Sequence, residues 1–201
     1  MPYEYSKLSP EEGEELLRIR RERGYPLHAP PHPYRDAGYY LITAANFEHV
    51  PIMASPERRT EFEMLLLSAM KQIQADTVCW VVLPNHYHVL VGIESLDSVS
   101  AALKQLHGVT SREWNLVDGQ TGKRRVWYKF ADQMMRNEKH LHQAFNYVHY
   151  NPVKHGFVAD VYEWPWSSLS LYFENQGRDW LRARWKSMPP PPDFGKGWDE
   201  W

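Results

Sequence analysis

The chain has 201 residues, 43% hydrophobic and 14% aromatic, enough for one domain of ordinary size with a buried core. A single cysteine, Cys79, excludes an internal disulfide framework and fits a reducing compartment. No apolar run approaches a membrane span, and Met1 to Arg23 is too charged for a signal peptide, so the expected location is cytoplasmic.

The net charge of −2 argues mildly against a nucleic-acid partner, but it is unevenly spread. Between residues 101 and 160 nine Lys and Arg side chains face five Asp and Glu. The acids gather near the start, at Glu11, Glu12, Glu14 and Glu15, and near the end, at Asp193, Asp199 and Glu200. A locally basic centre is compatible with phosphate binding.

In chain order, Ser9-Pro10-Glu11-Glu12 reads as an N-cap, a proline at the first helical position and a capping glutamate, so a short helix is expected up to Gly24. Pro26, Pro30, Pro31 and Pro33 mark an irregular connector. Tyr39 to Phe47 is a predicted strand. Ser55-Pro56 opens a helix whose apolar positions Phe62, Leu65, Leu66, Ala69, Met70 and Ile73 recur at helical spacing. Thr77 to Leu83 reads as a buried strand, Pro84-Asn85 as a turn, and His86 to Ile93 as its partner strand. Val99, Ala102, Leu103, Leu106 and Val109 mark a helix to Trp114, Val126 to Ala131 a fourth strand, and Glu138 to Asn151 a last long helix closed by Pro152 and Gly156. The order predicts an α+β, ferredoxin-like βαββαβ fold, an antiparallel sheet with helices on one face plus a further helix that bears a tyrosine. Beyond Gly177 the Pro-rich tail is expected to be extended and loosely attached.

His86-Tyr87-His88-Val89-Leu90-Val91 is the most informative segment. Strand side chains alternate, so Tyr87, Val89 and Val91 point to the packing face and both histidines point to the other, the face the helices leave open. Two neutral imidazoles suit a divalent metal with positions left for oxygen ligands. Taken alone, a His-x-His pair reads more readily as two ordinary exposed or hydrogen-bonded histidines, and its place on a central strand opposite the packing face is what favours a site. Tyr147 and Asn151 lie four residues apart on one helical face. A phenolate beside a cation can attack phosphorus, and an amide oxygen one turn away can join that cation's ligands. The plainer alternative is a packed tyrosine and a C-capping asparagine. Tyr150 and Tyr128 are rival nucleophiles.

These segments together resemble a known family. Trp80-Val81-Val82-Leu83-Pro84-Asn85-His86-Tyr87-His88 resembles the HUH motif region of single-tyrosine transposases. Tyr147-Val148-His149-Tyr150-Asn151-Pro152-Val153-Lys154-His155-Gly156 resembles the tyrosine helix of the REP-associated branch, and Trp164-Pro165-Trp166-Ser167-Ser168 the segment that closes that domain. The resemblance runs over residues 37 to 172, with Leu103-Lys104-Gln105 and Arg136-Asn137 also in place. Phe130-Ala131-Asp132-Gln133 departs from it, where relatives carry bulkier or more basic residues.

The resemblance implies a transposase acting on single-stranded DNA. His86, His88 and Asn151 would hold Mg²⁺ or Mn²⁺, and Tyr147 would form a 5′-phosphotyrosine adduct beside a hairpin repeat. The expected organisation is an N-terminal helix and connector over 1–36, the HUH domain over 37–175 and an acidic Pro-rich tail over 176–201. The expected protein is a monomer or homodimer, associated with the bacterial nucleoid, with no membrane partner. Lys104, Arg112, Lys123, Arg124, Arg125 and Arg136 are candidate DNA contacts, each with a plain alternative as a solvated surface charge. Trp198, Asp199, Glu200 and Trp201 are expected to fold back over the basic face and restrain activity. Two other readings compete: a domesticated module that binds hairpin DNA or RNA without cutting, and a metal-free nuclease using His86 and His88 as base and acid.

Overall fold

A computed structural model describes residues 9, 11, 15, 18, 37–120 and 124–195. Its centre is a four-stranded antiparallel sheet built from β1 (Gly38–Ala45), β2 (Asp76–Val82), β3 (His86–Ile93) and β4 (Ala131–Met134), in the order β2-β3-β1-β4. The fold is the expected α+β arrangement. Helices α1 (Pro56–Gln72) and α2 (Leu96–Val117) cover one face, and α3 (Glu138–Lys154) covers the other.

The helix starts follow the sequence chemistry. Ser55 Oγ accepts from the Arg58 amide at 3.2 Å with Pro56 at the first position, and Asn137 Oδ1 accepts from the His140 amide at 2.9 Å. Glu11, Glu15 and Arg18 are helical too, as the Ser9-Pro10 signal predicts. Alternation on the strands divides the interior in two. Tyr40, Ile42, Tyr87, Val89 and Val91 meet Phe62, Leu66, Trp114 and Trp127 in a core under α1 and α2. Leu41, Val81, Leu83 and Leu90 meet Ala144, Phe145, Tyr147 and Val148 in a second layer under α3.

Four expectations are corrected. The fourth strand is Ala131–Met134, registered against Tyr40–Thr43, and not Val126–Ala131. Residues 126–130 are held as an extended rim instead: the Phe47 amide donates to Val126 O and the Tyr128 amide to Ala45 O, and buried Trp127 packs on Phe62 at 5.0 Å. The long helix does not stop at Asn151. Pro152 sits inside it and the turn at Gly156, with φ of +71°, ends it, because losing one amide donor near a helix end leaves the last turn otherwise intact. The face opposite α1 and α2 is not open, since α3 lies across it. Past Gly177 the chain is not loosely extended: α4 (Leu169–Gln176) is followed by α5 (Arg178–Ser187), which packs Leu181 into the second layer. The segment after α5 is also seated, with Asn146 Nδ2 donating to Met188 O at 2.7 Å and Gln143 Nε2 to Pro189 O at 3.2 Å.

The Trp164–Ser168 segment closes the outer edge of β2. Val82 N donates to Trp166 O at 2.9 Å, Ser168 N to Trp80 O at 3.1 Å, and Trp164 Nε1 to Val82 O at 3.0 Å. An edge strand so covered offers no free ladder for foreign strands. Among the described residues no helix is long and apolar enough to cross a membrane.

Candidate active site at the histidine pair

β3 and α3 bring four of the sequence-selected residues together. His86 and His88 are fully buried, with ring centroids 5.1 Å apart. Each ring has its Nδ1 fixed from within the protein: His86 by Asn85 Oδ1 at 2.7 Å, and His88 by Thr43 Oγ1 at 2.6 Å across the β1–β3 register. Holding Nδ1 fixes the ring orientation, so Nε2 of each is the atom turned to the site. His86 Nε2 lies 3.2 Å from Asn151 Oδ1. The Tyr147 ring stands edge-on to His88 at 5.4 Å. The rivals lie elsewhere: Tyr150 packs at a tilt against Trp185 at 5.1 Å, and Tyr128 against Phe47 at 5.0 Å.

This donor set fits a divalent ion. A neutral imidazole carries one N–H, yet His86 meets an amide oxygen at each nitrogen. A cation would resolve this, drawing on His86 Nε2 and Asn151 Oδ1 as donors and leaving Nδ1–H to donate to Asn85. Among the described residues no three His, Cys, Asp or Glu side chains gather as a metal cluster. The third donor here is an amide.

Sequence reasoning missed several neighbours. Thr43 carries no motif, and only the β1–β3 register reveals it. His155 lies one turn beyond Asn151 with its ring 4.9 Å from His86. Burial, with His86, Lys154 and His88 adding to it, pushes this imidazole down to about 3. Lys154 Nζ donates to the Tyr147 hydroxyl at 3.4 Å. Tyr147 itself is only 3% exposed, because Phe194 packs on its ring at 4.8 Å and Gly195 passes so close that any side chain there would run into the hydroxyl. The Pro-rich segment therefore covers the tyrosine. The tail residues singled out in the sequence, Trp198, Asp199, Glu200 and Trp201, lie outside the described residues.

The candidate DNA contacts separate into groups. Lys104, Arg124 and Arg125, joined by Lys129, line one cleft of about 680 Å³ with Trp127, Tyr128 and Phe130. Arg124 and Arg58 both bind the Asp118 carboxylate at 2.7 Å, which holds that acid below the usual carboxylate range, chiefly through Arg58. Arg125 lies over the Phe47 ring at 4.9 Å. Arg112 is exposed and does not line the cleft. Arg136 is exposed at the start of α3, its amide donating to His140 Nδ1 at 3.3 Å. Lys123 lies outside the described residues.

Comparison with known proteins gives two curated relatives, both carrying the name REP-associated tyrosine transposase. One, from Haemophilus influenzae, is 30% identical over 118 residues, 54% of this chain and 67% of its own length. The other, from Escherichia coli, is 27% identical over 115 residues, 55% of this chain and 66% of its own length. The alignments thus span about two thirds of each relative. A solved REP-associated tyrosine transposase bound to a REP hairpin superposes with a TM-score of 0.54 at 21% identity, over 70% of this chain and 82% of that one, a likeness of fold. No family model matches the chain.

Proposed function

Because this chain belongs to the REP-associated tyrosine transposase family, we propose that it cleaves and rejoins single-stranded DNA beside a hairpin repeat, with Tyr147 as nucleophile. The observation that carries this reading is the convergence of His86 and His88 with Asn151, one helical turn from the buried Tyr147 whose ring meets His88. His86, His88 and Asn151 would hold Mg²⁺ or Mn²⁺, which would supply positive charge against the scissile phosphate. Asn85 and Thr43 keep both imidazoles in the orientation this requires.

The Tyr147 oxygen loses its proton and attacks phosphorus. The P–O bond to the 3′ oxygen breaks, and that oxygen takes up a proton to leave as a 3′-hydroxyl. The product is a 5′-phosphotyrosine, and attack by another 3′-hydroxyl reverses the step with the same atoms. The Lys154 ammonium, beside the phenol, is a charge partner for the phenolate during attack and release. The hairpin, the partner in the solved neighbour's complex, is gripped by the cleft of Lys104, Arg125 and Lys129 through backbone phosphates.

One observation favours a second reading, the non-cutting hairpin-binding module: Phe194 and Gly195 bury the phenol. In the enzymatic reading this is a closed state that DNA entry opens. The test is incubation of hairpin DNA carrying a single-stranded flank with the full chain, and with a chain ending at Ser187, in Mn²⁺ and in excess chelator. Enzymatic action gives a protein–DNA adduct that survives denaturation, needs the ion and disappears in Tyr147→Phe. Salt-sensitive binding without an adduct from either chain supports the module. Cleavage that persists in chelator supports metal-free chemistry.

A further inference from the structure

On the side of α3 turned away from the histidine pair, a cavity of about 410 Å³ opens between α3, the 3-10 turn at Val161–Glu163 and α5. Asn146, His149, Tyr150 and Val153 form the stripe of α3 that borders it, whereas Tyr147 and Asn151 lie on the stripe facing the histidines. Its mouth is aromatic. Tyr150, Tyr162 and Trp185 are 37%, 36% and 36% exposed, and the Tyr150 and Trp185 rings meet at 5.1 Å. Its rim is cationic. Arg182 and Lys186 line it, and the Arg178 guanidinium sits 4.9 Å over the Tyr162 ring. The carboxylate in its wall, Asp160, accepts from the Tyr162 amide at 3.0 Å and caps the 3-10 turn, so its charge is directed at the backbone. α5 carries Arg178, Arg182, Arg184 and Lys186 against Asp179 alone.

We infer that this cavity is a second binding site for single-stranded DNA, stacking an unpaired base on its exposed rings with the flanking phosphates on Arg182 and Lys186. Charge complementarity selects this occupant. An apolar protein segment would fill the interior but leave the rim cations without partners, whereas a nucleotide supplies a planar apolar face and an anion together. Exposed aromatics interleaved with cations are the general form of a single-strand stacking platform. A duplex keeps its bases stacked inward, so the site discriminates against paired DNA. The inference rests on the proposed single-strand chemistry and deepens it: α3 carries Tyr147 on one stripe and this cavity on another, so a flank held here is anchored to the helix that bears the nucleophile.

The experiment uses the full chain, an oligothymidylate, and a hairpin with and without an oligothymidylate flank. Trp185→Ala with Tyr162→Ala is expected to weaken the oligothymidylate and the flanked hairpin about tenfold, leaving the blunt hairpin unchanged. Arg182→Glu with Lys186→Glu, which keeps the rings, is expected to produce the same selective loss and a shallower salt dependence. Iodouracil placed in the flank should crosslink to Tyr150, Tyr162 or Trp185. Unaltered oligothymidylate affinity in both variants overturns the inference. So do crosslinks confined to the Tyr128 cleft, or variants that change self-association alone. Adduct formation by the wild-type chain on the flanked hairpin in Mn²⁺ is read in parallel: its absence defeats the strand-transfer reading, while the selective binding loss is scored separately.

Discussion

On one side of β3, Tyr87, Val89 and Val91 close against Phe62, Trp114 and Trp127; on the other, His86 and His88 share their space with Asn151 and Tyr147. Both sides are buried, and they are buried for different reasons. The apolar side is held by area removed from water and by ring contacts such as Phe62 on Tyr87 at 5.0 Å. The polar side costs desolvation and persists through hydrogen bonds that reach it from β1 and from the β2–β3 turn, Thr43 to His88 and Asn85 to His86. Alternation along one strand thus sets an apolar packing side against a side that carries the proposed site.

The sharpest break of that comparison is a change on each side. Tyr147→Phe is expected to abolish the adduct while unfolding stays cooperative. Phe62→Ala removes a fully buried ring and is expected to cost about 3–5 kcal/mol in urea unfolding, with adduct formation falling only as the folded fraction falls. Loss of the adduct in Phe62→Ala with stability intact would erase the division. Thr43→Val sharpens it, since it keeps the shape of β1 and removes the partner of His88 Nδ1. Mn²⁺ affinity, read by calorimetry, is expected to drop roughly 10–100-fold with little change in unfolding midpoint.

Acid sensitivity extends to buried histidines away from the pair. Burial pushes His149, with Arg184 adding to it, and His107 down to about 3 from an ordinary 6.5. The unfolded chain then binds more protons between those values, so stability is complete above about 6.5 and is lost as pH falls toward 3. Each histidine contributes up to about 1.4 kcal/mol per pH unit, and His149→Gln should flatten the measured slope by one such share. The smallest effect is expected in the cleft. Lys104→Ala should weaken hairpin binding evenly across sequences and reduce the salt slope by about one.

The sequence made local periodicity legible and left long-range register hidden. His86 and His88 on one side of a strand, and Tyr147 and Asn151 on one side of a helix, follow from spacings of two and four, and both pairs converge. Thr43 is invisible without knowing that β1 pairs with β3 in the register that sets it beside His88. The covering of Tyr147 by Phe194 is invisible too, because a run of prolines carries no period and its seat depends on Asn146 and Gln143 of a distant helix. The misplaced fourth strand has the same origin: Val126 to Phe130 has strand-like composition, but Trp127 serves the core, and β1 takes Ala131–Met134 as its edge partner. The pairing of Arg124 with Asp118, which Arg58 shares from a distant helix, is a long-range contact that spacing does not reveal.

The most direct measurement is mass analysis of the peptide linked to DNA after incubation with a flanked hairpin and Mn²⁺. The account requires the nucleotide mass on Tyr147, absent when chelator is added first. A nucleotide on Tyr150 or Tyr128, or a tyrosine adduct formed without any divalent ion, would contradict it.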